Sequence, residues 1–261
     1  MKIARFKNNG KKQFGIIDGD SIRVLAGLPW EKIVPTNEQL PLSQVKLLAP
    51  IQPPDVIAIG LNYKKHADES GFKHPAAPVI FLKATSSVIG PDEPILLPKM
   101  APEQVDYETE LAIVIGKTCR RVTEAEALSY VFGYTCGNDV SARDCQLKQD
   151  SQWARGKSFD TFCPLGPWIE TEMNPDNAGI SLKLNGQVMQ DSNTNDMIFS
   201  SAKLVSYCSQ FATLRPGTVI MTGTPAGVGF ARKPPVFFKA GDVVEVIIQG
   251  IGTLRNPVQA E

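Results

Sequence analysis

Histidine is nearly absent from this chain, with His66 and His74 the only two among 261 residues. A metal bound here must therefore be held mainly by oxygen, which excludes a histidine-rich transition-metal centre. There is no excess charge of either sign, since 27 Lys and Arg balance 27 Asp and Glu. A neutral chain lacks the electrostatic footprint for nucleic acid or an anionic membrane. The five cysteines are odd in number and form no C-x-x-C pair, which argues against a disulfide framework or a thiolate zinc site. No apolar run approaches the roughly 20 residues that cross a bilayer. The opening MKIARFKNNGKKQFG also lacks a signal peptide's apolar stretch, so the expectation is a soluble, cytoplasmic protein.

What the chain does have is turn chemistry. Its 21 glycines and 20 prolines exceed average usage and point to β-rich architecture rather than a helical bundle. Residues 1–50 read as a small unit: KIARF alternates, and QFGIIDGDSIRVL reads as two strands joined at Asp18-Gly19. The proline-dense stretch from Leu40 to Pro54 marks a boundary, which gives a small N-terminal β-rich domain at 1–50 and a larger domain at 51–261. In the larger part, strands are expected at 56–59, 79–82, 95–97, 105–115 and 131–138. A second set is expected at 180–184, 218–221, 236–238 and 243–248. Helices are expected at 63–70, 123–130 and 198–211, the second opened by a Thr123-x-x-Glu126 capping box.

The most informative segment is Val105-Asp106-Tyr107-Glu108-Thr109-Glu110-Leu111, followed by Ala112-Ile113-Val114-Ile115. Strand alternation places Asp106, Glu108 and Glu110 on one face, where spacings of about 7 Å make them repel. That face continues into Ala112, Val114 and Gly116, so it does not read as a solvated face. Acids entering a partly buried environment either raise their pKa or recruit a cation, and a hard divalent ion suits carboxylate oxygen. A further acid, Asp139, ends the apolar stretch 132–138, although a lone Asp there also suits a helix N-cap. On a helix, His66 and Glu69 fall on one face three residues apart, an arrangement that makes a usable general base near neutral pH.

The segment Met221-Thr222-Gly223-Thr224-Pro225-Ala226-Gly227-Val228-Gly229 follows an apolar strand and lets backbone approach a ligand. It is neither a phosphate-binding loop with Lys-Ser/Thr nor a dinucleotide fingerprint. Ser70-x-x-Lys73 and Ser200-x-x-Lys203 lack the partner motifs of serine acyl transfer, and there is no G-x-S-x-G.

Taken together, these motifs resemble the fumarylacetoacetate hydrolase family over residues 55–258. The segments are Ile59-Gly60-Leu61-Asn62-Tyr63 with His66 and Glu69, Phe81-Leu82-Lys83, Asp106-Tyr107-Glu108-x-Glu110-Leu111, Asn138 to Asp144, Gly156 to Asp160, and Thr222-Gly223-Thr224-Pro225-x-Gly227-Val228-Gly229. Six in the family's order are specific where each alone is weak. The resemblance implies a mixed, β-rich fold, a β-roll catalytic domain with a small N-terminal β/α unit, that commonly forms homodimers. It implies metal ligands Glu108, Glu110 and Asp139 holding Mg²⁺, with Mn²⁺ or Ca²⁺ as alternatives. It makes Lys157 the active-site lysine and His66 with Glu69 the catalytic dyad. Lys83, Arg143, Gln146 and Thr224 fall at positions that contact substrate or order the site. Ala84 stands where proline is usual, a departure that bears on the local turn.

The activity implied is hydrolysis of a C–C bond in a small 2-oxo acid of the acylpyruvate, fumarylpyruvate or fumarylacetoacetate type through a metal-stabilised enolate. Such chemistry belongs to the breakdown of aromatic compounds. The alternatives on the same site are isomerisation of 2-hydroxyhepta-2,4-diene-1,7-dioate, oxaloacetate decarboxylation and a ureidoglycolate-type lyase reaction. A non-enzyme reading, a structural β domain stabilised by Ca²⁺, is opposed by Lys157 and His66, because a structural site needs neither a cation nor a base beside its metal.

Overall fold

A computed structural model describes residues 1–261. In chain order the first strands are β1 (Lys2–Asn8), β2 (Lys11–Asp18), β3 (Ser21–Leu25), β4 (Pro35–Pro41), β5 (Lys46–Leu47) and β6 (Val56–Gly60). Helix α1 (Lys64–Glu69) follows, then β7 (Val79–Lys83), β8 (Val88–Ile89), β9 (Ile95–Leu97), β10 (Val105–Asp106) and β11 (Thr109–Ile115). The central part comprises α2 (Glu124–Ala127), β12 (Val131–Asn138), β13 (Ser141–Ala142) and β14 (Cys163–Glu170). The chain ends with β15 (Gly179–Leu184), β16 (Gln187–Asn193), α3 (Ser201–Phe211), β17 (Val219–Met221), β18 (Val243–Ile248) and β19 (Gly252–Ala260).

Twelve strands form one mixed sheet in the order β4-β3-β2-β1-β14-β12-β11-β17-β6-β7, with β5 paired to β1 and β8 to β14. A second sheet runs β16-β15-β18-β19-β9, and β10 pairs with β13 alone. Most pairings are antiparallel; β17 with β6, β19 with β9 and β14 with β8 are parallel. The N-terminal strands join the large sheet directly, where Lys2 and Ile3 of β1 pair with Glu170 and Ile169 of β14. They form a β unit with one 3₁₀ turn at Leu42–Gln44 and no α-helix, so the β/α expectation is corrected to β alone. Its hairpins have a local cause. Asn9-Gly10, like Asn185-Gly186 between β15 and β16, has positive φ at both residues and closes a two-residue loop, the strongest short-range hairpin chemistry. Sequence reading singled out Asp18-Gly19 and passed over these two.

β11 lies inside the large sheet between β12 and β17. Both of its faces are buried: Leu111, Ile113 and Ile115 enter the main core, while Ala112 and Val114 pack with Val56, Ala58, Leu165 and Met221 on the other side. This explains the apolar continuation of the acidic face. The segment is not one strand, however. Pairing stops after Asp106, and Tyr107-Glu108 form a break before Thr109. The expected strand at 236–238 is also absent; Val236 and Phe238 are fixed by backbone bonds to Gly229 and Val105 across a loop. Helix α1 and α3 are shorter at their N-termini than expected. Ser200 caps α3 by accepting from the Lys203 amide, and Glu126 accepts from the Thr123 amide and hydroxyl at the start of α2. An unanticipated π-helical turn, Cys145–Gln149, carries Gln146. No helix is long and apolar enough to cross a membrane.

Neighbouring ends of β12, β11, β17 and β6 meet at one side of the sheet, because β11 is antiparallel to β12 and β17 while β17 is parallel to β6. Asp139, Glu110, Thr222 and Leu61 sit at or just beyond these ends. Ile113 is fully buried at the centre of this frame. Truncating it should cost about 2–5 kcal/mol through lost burial and the cavity left behind. Chemical denaturation of Ile113→Ala should show a lower midpoint with the same slope as the parent.

Candidate active site

Glu110 is the second residue of β11, opposite Gly137 of β12, and Asp139 follows the end of β12, so backbone pairing brings the two acids together. Glu108 joins them from the break. Its amide donates to Asn138 Oδ1 at 3.0 Å, and its carbonyl accepts from the Asp139 amide at 2.9 Å. Ligand oxygens of Glu108, Glu110 and Asp139 all lie within 4.8 Å of one another, and all three side chains are buried. Strand parity had put Asp106 with them. The break at Tyr107-Glu108 interrupts that alternation, and Asp106 points instead to Arg143 and the amides of Gly229 and Phe230.

Three cations reach this cluster from separate elements. The Lys157 ammonium donates to Glu108 Oε2 at 2.6 Å and to Asp139 Oδ2 at 2.7 Å. Arg143, which follows β13, donates to Glu108 Oε1 at 2.7 Å, Asp106 Oδ2 at 2.9 Å and Gln146 Oε1 at 2.8 Å. Its guanidinium also lies 4.4 Å from the Phe230 ring centre. Lys83, expected to contact substrate, does not line the cleft. Its ammonium lies behind the acids, hydrogen-bonded to Asp139 Oδ1 and the carbonyl of Lys157, so it holds the cluster from below.

The electrostatics divide the acids. Burial acts to raise the Glu108 carboxyl, but Lys157 and Arg143 outweigh it and hold Glu108 below the ordinary carboxylate range. Glu110 has no cation in hydrogen-bond contact and accepts only from the Gly223 amide, at 2.8 Å. Burial, then the neighbouring Asp139 and Glu108 charges, push it well above the ordinary range. Burial works to lower the Lys157 ammonium, yet Asp139 and Glu108 carry it above its usual value. Counting Asp106, four buried carboxylates face three cations, and the acid without a cation is Glu110. This donor set, three buried carboxyl groups of which Glu110 has no cation partner, fits a hard dication.

His66 is buried on α1, and its Nδ1 lies 2.9 Å from Glu69 Oε1. Nε2 makes no hydrogen bond within the protein. Glu69 is itself anchored, since both of its oxygens accept from the Gly227 amide at 3.0–3.1 Å. Thr224 is fixed in the same loop, its Oγ1 accepting from Gln190 at 2.8 Å. One cleft collects His66, Glu108, Glu110, Asp139, Arg143, Gln146, Lys157 and Thr224. Aromatic walls are supplied by Phe72, Trp153 and Phe230, to which sequence reasoning gave no role, and by Phe81, quoted only as part of a motif. Asn62 was quoted only as part of a motif. It is fully buried, donates to the Thr222 and Phe199 carbonyls and accepts from the Phe199 amide, tying the segment before α1 to the Thr222–Gly223 turn.

The model for the fumarylacetoacetate (FAA) hydrolase C-terminal domain matches residues 55–259, the stretch that builds this cleft. The chain belongs to the fumarylacetoacetate hydrolase family. A second model, Rv2993c-like N-terminal, matches residues 1–50. Among relatives, oxaloacetate tautomerase fahd2, mitochondrial, of Xenopus laevis is 50% identical over 221 residues, covering 83% of this chain and 69% of that protein. Among solved structures, 5-carboxymethyl-2-hydroxymuconate delta-isomerase from Mycobacterium smegmatis is 44% identical with a TM-score of 0.91 and covers 100% of both chains. The 2-hydroxyhepta-2,4-diene-1,7-dioate isomerase from Mycobacterium marinum is 42% identical with a TM-score of 0.90, covering 100% of this chain and 99% of that one. The fumarylacetoacetate hydrolase-type fold is therefore shown, and the protein is a member of an enzyme family.

Within this fumarylacetoacetate hydrolase fold, Lys83 has a clear energetic signature. Removing it leaves Asp139 with one cation fewer in a dry site, at a cost of about 3–5 kcal/mol. Calorimetry on Lys83→Met without added metal should show that loss, and added Mn²⁺ should recover part of it.

Proposed function

We propose that the protein is a divalent-metal-dependent tautomerase or isomerase of small 2-oxo dicarboxylic acids. The observation that carries this reading is the meeting, in one cleft, of a carboxylate-oriented imidazole, three buried acids and two facing cations, Lys157 and Arg143. Family members named as tautomerase and isomerases support it over the hydrolase activity expected first from sequence. Small organic acids are the partners this cleft suits.

The chemistry follows from where charge develops. A 2-oxo acid presents a carboxylate beside a carbonyl, and loss of a proton from the adjacent carbon puts negative charge on the carbonyl oxygen. A hard dication (Mg²⁺, or Mn²⁺ or Ca²⁺ in its place) held by Glu108, Glu110 and Asp139 would supply Lewis-acid stabilisation for that oxygen. The Lys157 ammonium adds positive charge beside it. Arg143 and Gln146 hold the substrate carboxylate, and Thr224 lies on the same wall. His66 moves the proton. Its Nδ1 is engaged by Glu69, which fixes the tautomer with Nε2 as the base. Return of that proton to the oxygen completes keto–enol exchange, and return to a more distant carbon shifts a double bond. C–C hydrolysis would use the same imidazole to activate water, so it ranks second on the same site. A dication held by the three lining carboxylates, beside Lys157 and Arg143, would leave the cleft net positive, which suits a dianionic substrate.

The deciding assay follows oxaloacetate enol–keto exchange, 2-hydroxydienedioate isomerisation and acylpyruvate cleavage, each with and without Mg²⁺. Metal-dependent proton transfer exceeding cleavage supports the proposal; cleavage dominating the panel returns the assignment to hydrolase. Glu108→Ala and Asp139→Ala should abolish metal-dependent turnover. His66→Ala should lower kcat by about 10²–10⁴-fold with Mn²⁺ binding retained, and wild-type turnover in that variant would remove the dyad from the mechanism. Chelation should stop activity while circular dichroism stays unchanged. Unfolding on chelation, with no activity on any acid, would instead favour a structural Ca²⁺ domain.

A further inference from the structure

Asp106 is fully buried and is absent from the metal-binding set, although its sequence position invites membership. Its two oxygens are completely engaged. Oδ1 accepts from the Tyr107 amide at 2.8 Å and the Gly229 amide at 2.8 Å. Oδ2 accepts from Arg143 Nε at 2.9 Å and the Phe230 amide at 3.0 Å. Arg143 is thus gripped through Nε by Asp106, through its terminal nitrogens by Gln146 and Glu108, and covered by the Phe230 ring that the same Asp106 docks. The turn must approach closely for this to occur. A Cβ on Gly229 would collide with Asp106 Oδ1 and the Val236 carbonyl. A free arginine side chain carries roughly 2 kcal/mol of rotamer entropy, and an anchor that removes it before binding improves affinity for an anion.

We propose that Asp106 is the positioning residue for Arg143, locking the guanidinium and the Gly229–Phe230 turn into one preformed arm for a substrate carboxylate. This rests on the reading above that Arg143 takes that carboxylate. Asp106 then contributes nothing to metal affinity, unlike its neighbours two and four residues along the chain.

The test is a double-mutant cycle read by calorimetry, with oxalate as the probe on Mn²⁺-loaded protein; oxalate carries the paired oxygens of a 2-oxo acid and does not react. Asp106→Asn should weaken oxalate about tenfold while Mn²⁺ alone binds within about threefold of the parent. Arg143→Gln should weaken oxalate similarly, and the double variant should be no worse than Arg143→Gln. Independent losses that multiply would overturn the proposal, as would an equal loss of Mn²⁺ affinity in Asp106→Asn. Gly229→Ala, which displaces the same contact from the other side, should reproduce the oxalate defect. A second arm needs neither metal nor probe. The ¹⁵N-resolved Nε–H of Arg143, assigned by its disappearance in Arg143→Gln, should be protected from exchange in the metal-free parent and lose protection in Asp106→Asn. Rapid exchange in the parent overturns the proposal even where the Asn variant fails to fold. Failure of the Mn²⁺-loaded parent to bind oxalate counts against the functional reading, while the Nε–H measurement still decides the Asp106–Arg143 lock.

Discussion

Placing several like charges in a dry interior is the constraint that organises this molecule. Asp106, Glu108, Glu110 and Asp139 are all buried, and each unpaired carboxylate there would cost several kcal/mol. Compensation comes from three cations on three different segments: Lys83 from β7, Arg143 after β13, and Lys157 from the loop before β14. Each pairs with acids at least 18 residues away in sequence, so the fold must be nearly complete before the cluster is tolerable. The compensation leaves Glu110 without a cation partner, and the amide hydrogen bond from Gly223 only partly offsets its burial. A protein optimised for stability alone would fill that position with an apolar side chain. The deficit is better understood as capacity for a cation.

The same frame distributes work between its two halves. One loop, Thr222 to Phe230, reaches three of the acids: Gly223 holds Glu110, Gly227 holds Glu69, and Gly229 with Phe230 holds Asp106. Backbone amides do this rather than side chains, which is why glycine recurs at 223, 227 and 229. At Gly223 and Gly227 φ is +96° and +103°, a region that β-carbon-bearing residues rarely occupy, and at Gly229 there is no room for a Cβ. A loop with its amides aimed at three acids fixes the dyad, the acid triad and the arginine relative to one another without supplying any reactive atom.

The parts of this site legible in sequence were those whose signal is local. Alternation along 105–115 exposed the acids, their apolar continuation showed the strand to be buried, and the i,i+3 spacing of His66 and Glu69 on α1 paired them correctly. Hairpin and cap chemistry located several boundaries for the same reason. What escaped depends on long-range geometry. Parity could not separate Asp106 from Glu108, because the break at Tyr107-Glu108 has no propensity signature; it arises where Asn138 and Asp139 bind Glu108's backbone. Lys83 matched a motif yet lies behind the cluster, since only the folded sheet reveals which face of β7 meets Asp139. Trp153 and Phe230 look like ordinary core aromatics until the cleft forms around them.

This arrangement also explains why one family supports tautomerisation, isomerisation and bond cleavage. In the proposed mechanism each of the three places negative charge on the oxygen next to a carboxylate at some stage, and the acids, Lys157 and Arg143 would address that event. Divergence would then lie in what His66 does: return a proton to oxygen, deliver it to a remote carbon, or take one from an attacking water. Those outcomes depend on what the cleft admits beside His66, where Phe72, Trp153 and Phe230 form apolar walls and Ser70 contributes a buried hydroxyl without a protein partner. An apolar wall that excludes water favours proton return over hydrolysis, because the imidazole then has only the substrate to serve. On this logic the reaction type is set by the wall and the energetic investment by the acid cluster, so the two can change independently on an otherwise constant frame.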